Sequence, residues 1–167
     1  MNKTLISVAL AALVAGTGFA PSASGASVSS NFQVKLVIAK TCAVSTSGAL
    51  DLGSVNADST ADVSQNASNI DVKCSKATAY TVGLKPSSNS TNGTGTMAGA
   101  TSGNTDTVAY ALYQDAASAT AWGTTTTKAG VGNGTTQNYT VYGKVLGTNL
   151  NVTPDSYADT VSVTVTY

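Results

Sequence analysis

Apolar residues fall on alternate positions in several short stretches of this chain, and two of those stretches lie near its ends. Val161, Val163, Val165 and Tyr167 share one parity, and Thr160, Ser162, Thr164 and Thr166 the other. Phe32, Val34, Leu36 and Ile38 alternate in the same way with Asn31, Gln33 and Lys35. A period of two puts successive side chains on opposite faces of a strand, so each stretch predicts a strand with one buried face. The stretch that ends at Tyr167 is expected to lack a following strand to close its sheet. The question is what each terminal strand pairs with.

Between the two ends the same pattern recurs. Leu50 and Leu52 share a face in a short stretch over 49–53. Ile70, Val72 and Cys74 alternate with Asp71 and Lys73, and Tyr80, Val82 and Leu84 with Thr81 and Gly83. Val108, Tyr110 and Leu112 form another set, and Tyr139 and Val141 open a further one. No segment beyond the leader carries an apolar stripe of helical period. About seven short strands separated by turn residues predict an all-β, antiparallel sandwich. Residues 86–106 and 124–138 are nearly all Ser, Thr, Asn, Gly and Ala. They read as loops or weakly specified edge hairpins, parts of which are able to pair because Thr suits strands.

The first residues have a different character. Lys3 precedes an apolar run from Leu5 to Ala15, and Ser24-Gly25-Ala26 offers a small-x-small cleavage site. This is the anatomy of a secretory leader, residues 1–26, with a cut after Ala20 as the alternative. No other stretch has the length to cross a membrane as a helix. The remainder is the size of one domain.

Charge narrows the partners. The chain holds 8 Lys and 8 Asp, with no Arg, Glu or His, and only 10% of its residues are charged. It has no basic stripe, which argues against a nucleic-acid partner. Export to an oxidising compartment makes Cys42 and Cys74 a disulfide, since an isolated pair has one connectivity. Closing a loop of that length is worth roughly 3.5–4 kcal/mol in the chain-entropy picture.

Candidate chemistry is sparse. Without His there is no Ser-His-Asp or Cys-His arrangement. Asp155 and Asp159 flank a turn into a strand and read as turn residues rather than an acid–base pair. Asp51, Asp58, Asp62 and Asp71 lack the spacing of a calcium loop. Residues 130–134 resemble a phosphate loop only in their glycines, with no following Lys. Asn92-Gly93 and Asn133-Gly134 are hairpin-turn signals. Trp122 and the tyrosines suggest either a sugar-stacking platform or, better, an aromatic contribution to the core. No cofactor or metal is expected.

Taken in order, these pieces resemble the spore coat protein U domain, the fold unit of archaic (Csu-type) chaperone–usher pili. The resemblance rests on Val34-Lys35-Leu36-Val37-Ile38 before Cys42-Ala43-Val44, on Leu50-Asp51-Leu52-Gly53, and on Ile70-Asp71-Val72-Lys73-Cys74. It continues through residues 108–115, Trp122-Gly123, residues 139–145 and the terminal stretch 157–167. It covers the whole chain after the leader. Asp155-Ser156 stands where the family commonly has Gly, and a usual Phe near Leu52 is absent.

The resemblance implies an incomplete immunoglobulin-like antiparallel β-sandwich completed by donor-strand exchange. Residues 27–40 would be the donor segment, presenting Phe32, Val34, Leu36 and Ile38. Residues 41–167 would be the pilin domain, with Val161, Val163, Val165 and Tyr167 facing the groove or a chaperone. The implied partners are neighbouring pilin subunits in a homopolymer, a periplasmic chaperone and an outer-membrane usher. The implied destination is a pilus fibre at the cell surface, reached through the periplasm, and the protein is not expected to be integral to a membrane. The alternative from the residues alone is a secreted, soluble carbohydrate-binding β-sandwich.

Overall fold

The computed structural model describes residues 24–88 and 90–167, and of residues 66–69 the backbone alone. The predicted leader lies outside the described residues up to residue 23. Residues 24–40 take up no regular element, and every side chain among them is exposed. The strand predicted over 34–39 is therefore not formed. A strand exists only through its ladder partner, and among the described residues this segment has none.

From Cys42 onward the chain is a β-sandwich. The strands are β1 (Cys42–Thr46), β2 (Val63–Cys74), β3 (Ala79–Pro86), β4 (Thr94–Gly99), β5 (Thr107–Tyr113), β6 (Lys128–Val131), β7 (Thr136–Val145), β8 (Tyr157–Ala158) and β9 (Val161–Thr166). One sheet has the order β1-β2-β7-β5-β4-β8 and the other the order β6-β3-β9. All pairings are antiparallel. Among the described residues no helix is long and apolar enough to cross a membrane.

The alternating sets supply the core. Ile70, Val72, Tyr80, Val82, Leu84, Val108 and Leu112 are buried where the two sheets face each other. Leu50 and Leu52 do pack on that core, but from a loop rather than a strand. Trp122 is 1% exposed, and its indole N–H donates to the Val82 carbonyl at 2.9 Å. The ring thus bridges the sheets and offers no sugar-stacking surface. Its backbone is approached so closely by Gly93, at φ +85°, that a Cβ there would stand 2.5 Å from the Trp122 carbonyl oxygen. Only Gly meets both demands.

The low-complexity segments pair in part. β4 arises within 86–106 and joins β5 in a hairpin, and β6 arises within 124–138. The two Asn-Gly turns are not hairpin turns, however. Asn92-Gly93 lies between β3 and β4, and Asn133-Gly134 between β6 and β7, so each carries the chain from one sheet to the other. At the second, the Asn133 carboxamide oxygen accepts from the N–H and the hydroxyl of Thr135, both at 2.8 Å. That local bond fixes the turn whatever follows it.

Cys42 and Cys74 form the disulfide, directly opposite one another across β1 and β2. The bond matters because β1 contributes little burial of its own: Cys42 alone in it is half-buried and the rest is exposed. Replacing both cysteines by Ser is expected to lower unfolding stability by about 3–4 kcal/mol. A denaturant titration of the oxidised protein against the Cys42→Ser/Cys74→Ser variant checks this, and coincident midpoints would remove the disulfide from the argument.

Candidate functional site

β9 has β3 on one side and no hydrogen-bonded neighbour on the other among the described residues. Its register with β3 sets Val161 against Pro86, Val163 against Leu84 and Val165 against Val82. The three valines therefore turn toward the core, yet each remains half-exposed, while Ser162, Thr164 and Thr166 face solvent. Alternate residues of an edge strand also point their N–H and C=O groups outward, which makes β9 a template for another strand.

Beside β9 the sandwich is open. An apolar cleft of about 910 Å³ runs between the sheets, with Val161 and Val163 on one wall and Leu50 and Leu52 on the opposite loop. Its floor is the core itself, including Ile70, Leu84 and Leu112. Close-packed interiors leave few voids larger than a water molecule, so a gap of this size is not a packing fault. Val165 packs on the core but does not line the cleft, and Tyr167 is 47% exposed beyond the end of the strand. There the Lys40 ammonium sits 5.7 Å above the Tyr167 ring, drawing the start of β1 to the end of β9. Of the four residues of this parity, Val161 and Val163 thus line the cleft, and Val165 and Tyr167 do not.

Three aspartates fasten the segment leading into β9. Asp106 accepts from the Thr153 N–H at 2.8 Å and its hydroxyl at 2.6 Å. Asp155 accepts from Asn104 at 2.8 Å, from the N–H and hydroxyl of Thr101 at 2.9 Å each, and from the Ser156 N–H at 2.8 Å. Asp159 takes the Tyr110 hydroxyl at 2.6 Å, the Thr160 N–H at 2.7 Å and a short bond from the Ser87 hydroxyl. The Tyr110 ring reaches that far because its cross-strand neighbour is Gly95, where a Cβ would collide with the ring at 2.4 Å. Asp155 and Asp159 are accordingly turn residues, as their place in the sequence suggested, and anchors besides.

Their ionisation follows from these bonds. The Asn104 amide, then the Thr101 N–H, hold the Asp155 carboxyl down at about 2, against a smaller opposing effect of burial. For Asp159 burial is the largest single influence and opposes the charge, but the bonds from Ser87, Tyr110 and Thr160 together outweigh it and lower its pKa. Asp106 is lowered by Thr153. Tyr110 is pushed up, first by burial and then by its bond to Asp159. Among the described residues no group of His, Cys, Asp or Glu is placed to hold a metal.

Sequence reasoning singled out the alternating valines and the leucine pair. It did not find the links from Asp106, Asp155 and Asp159 to Thr153, Thr101 and Tyr110, which are about 50 residues apart and leave no periodic signal. Phe32, Val34, Leu36 and Ile38 are 82–87% exposed, with Val37 at 90%. The large apolar residues exposed in the sandwich reach at most 59%, at Val131.

The chain belongs to the Spore Coat Protein U domain family, whose profile matches residues 28–164. No curated protein sequence matches it. A solved structure of similar fold is the "Crystal structure of CsuC-CsuE chaperone-tip adhesion subunit pre-assembly complex from archaic chaperone-usher Csu pili of Acinetobacter baumannii". The TM-score is 0.51 at 20% sequence identity, and the match covers 78% of this chain but only 40% of that one.

A stability prediction comes from the aspartate anchors. Carboxyls lowered in the folded state stabilise it fully above their unfolded value near 4 and lose that effect as pH falls toward about 2. The urea midpoint is expected to hold steady from neutral pH to about pH 5 and then to drop between about pH 4 and pH 2. Asp155→Asn is expected to flatten part of that drop. An identical pH profile for the variant would show that Asp155 is not among the groups responsible.

Proposed function

We propose that this chain is a structural subunit of a bacterial surface pilus of the chaperone–usher type, joined to its neighbours by donor-strand complementation. Residues 1–26 are removed on export, residues 27–40 act as the donor, and residues 41–167 form the pilin domain. The donor of one copy lies along β9 of the next, inserting Phe32, Val34, Leu36 and Ile38 into the open cleft. Val161 and Val163 form the wall it meets, with Val165 and Tyr167 further along the same parity. Before assembly a periplasmic chaperone covers the same groove, and an outer-membrane usher is the exit. The fibre serves attachment and biofilm formation.

One observation carries this reading. A single chain holds both an uncovered apolar arm of strand periodicity and an apolar cleft beside an unpaired strand edge. Family membership and the pilus origin of the similar structure support it. Strand addition of this kind, including the pilin case, is a recognised mode of peptide recognition. Four side chains at roughly 1.5–3 kcal/mol each give about 6–12 kcal/mol of apolar burial. That rivals the whole stability of a small domain, so the joined subunit is expected to be far more durable than the single one.

The expected behaviour on an unheated SDS gel is a ladder of multimers that collapses to monomer on boiling. Leu36→Asp should abolish the ladder while leaving the yield of chaperone-bound subunit unchanged. A sharp monomer band from the wild type, or a normal ladder from Leu36→Asp, would count decisively against the proposal.

A further inference from the structure

The charges of this chain are unevenly divided. Residues 27–40 carry Lys35 and Lys40 and no acid, whereas residues 41–167 carry five Lys and eight Asp. The cleft sharpens the asymmetry: the charged residues lining it are Asp51, Asp155 and Asp159, with no Lys among them. Hydrogen bonds keep Asp155 and Asp159 ionised, and Asp51 is exposed. Of the two cations, Lys40 already lies over Tyr167 of its own domain. Lys35 is exposed and stands between Val34 and Leu36, on the parity opposite to the apolar set. When that set enters a groove, Lys35 is turned to the solvent-facing side of the added strand, the side on which β9 carries Ser162, Thr164 and Thr166.

Resting on the donor-strand reading, we propose that the acidic rim of the cleft steers the arm of a second copy of this chain through Lys35, so that encounter is electrostatic and seating apolar. A cleft lined by one sign of charge with low-dielectric walls focuses its field on an incoming counter-charge. Rim charges act mainly on the association rate and its salt dependence, and little on the final stability. Apolar seating by itself is not weakened by salt. Steering therefore gives assembly a sign of salt dependence that burial alone does not.

The test is the initial rate of ladder formation by the full secreted chain, diluted from denaturant at about 0.01 M and at about 1 M ionic strength, where screening lengths are about 30 Å and 3 Å. The wild type is expected to slow by about ten-fold at high salt. Lys35→Glu is expected to be slow at low salt, to lose the wild-type salt dependence, and to reach the same final ladder. Asp51→Asn keeps an oxygen for the Gly53 N–H that Asp51 now binds at 2.8 Å, and should weaken the salt dependence in part. A wild-type rate that is equal at both salts, or a Lys35→Glu chain that assembles as fast as wild type, overturns steering while the ladder itself still upholds the donor-strand reading. A wild type that forms no ladder at all overturns that reading and steering with it.

Discussion

The open side of β9 is the constraint on which the rest of this structure depends. A sandwich normally buries the inner faces of both sheets against each other, so that every apolar side chain finds a neighbour. Here, among the described residues, one sheet has six strands and the other only three, with β9 at its edge. Side chains that a further strand would cover instead line a cleft of about 910 Å³. Edge groups that face solvent have water to bond and cost little. The apolar floor has no such remedy, and hydrophobic burial is the only interaction that improves it.

A domain with part of its core uncovered needs other means to keep its shape, and this one uses tethers. The disulfide holds β1, whose own side chains are mostly exposed. The Trp122 indole ties the segment after β5 to β3. Asp106, Asp155 and Asp159 bind the approach to β9 through hydroxyls, amides and backbone N–H groups rather than through cations. The Lys144–Asp62 pair at 2.9 Å is solvated and contributes little. In a chain with so few charges, carboxylates bonded to Thr, Asn and Tyr do what ion pairs do elsewhere. They fix the wall of the groove without filling the groove.

How far the sequence foretold this varied with the element, for physical reasons. β3, β5 and the second half of β2 were plain because one face is buried and the other is not, which is what alternation records. β4 and β6 were not plain, because Thr, Gly and Ala acquire strand geometry from their partners. The segment 34–39 carries Val34, Leu36 and Ile38 on one parity, with Val37 on the other, and yet forms no strand here: the pattern states which face would be buried, not by whom. Val161 and Val163 line the cleft. Tyr167 shares their parity but lies past Thr166, where the ladder that imposes the alternation ends. The anchoring aspartates were illegible, since their partners come close only once the sandwich has formed.

The arm and the cleft are different surfaces, and this has a geometric consequence for the proposed assembly. A contact that uses the same patch on both copies closes on itself as a dimer, whereas a contact between unlike patches leaves one of each free. Joining two copies arm to cleft leaves an arm at one end and a cleft at the other, so each addition recreates the site for the next. Growth then continues unless the rotation per step closes a ring. Before joining, the free cleft is equally available to any apolar strand, including one from a misfolded neighbour. The feature that lets such a fibre grow is therefore the one that makes its free subunit hazardous, which is a physical reason for the groove to be covered until the correct arm arrives.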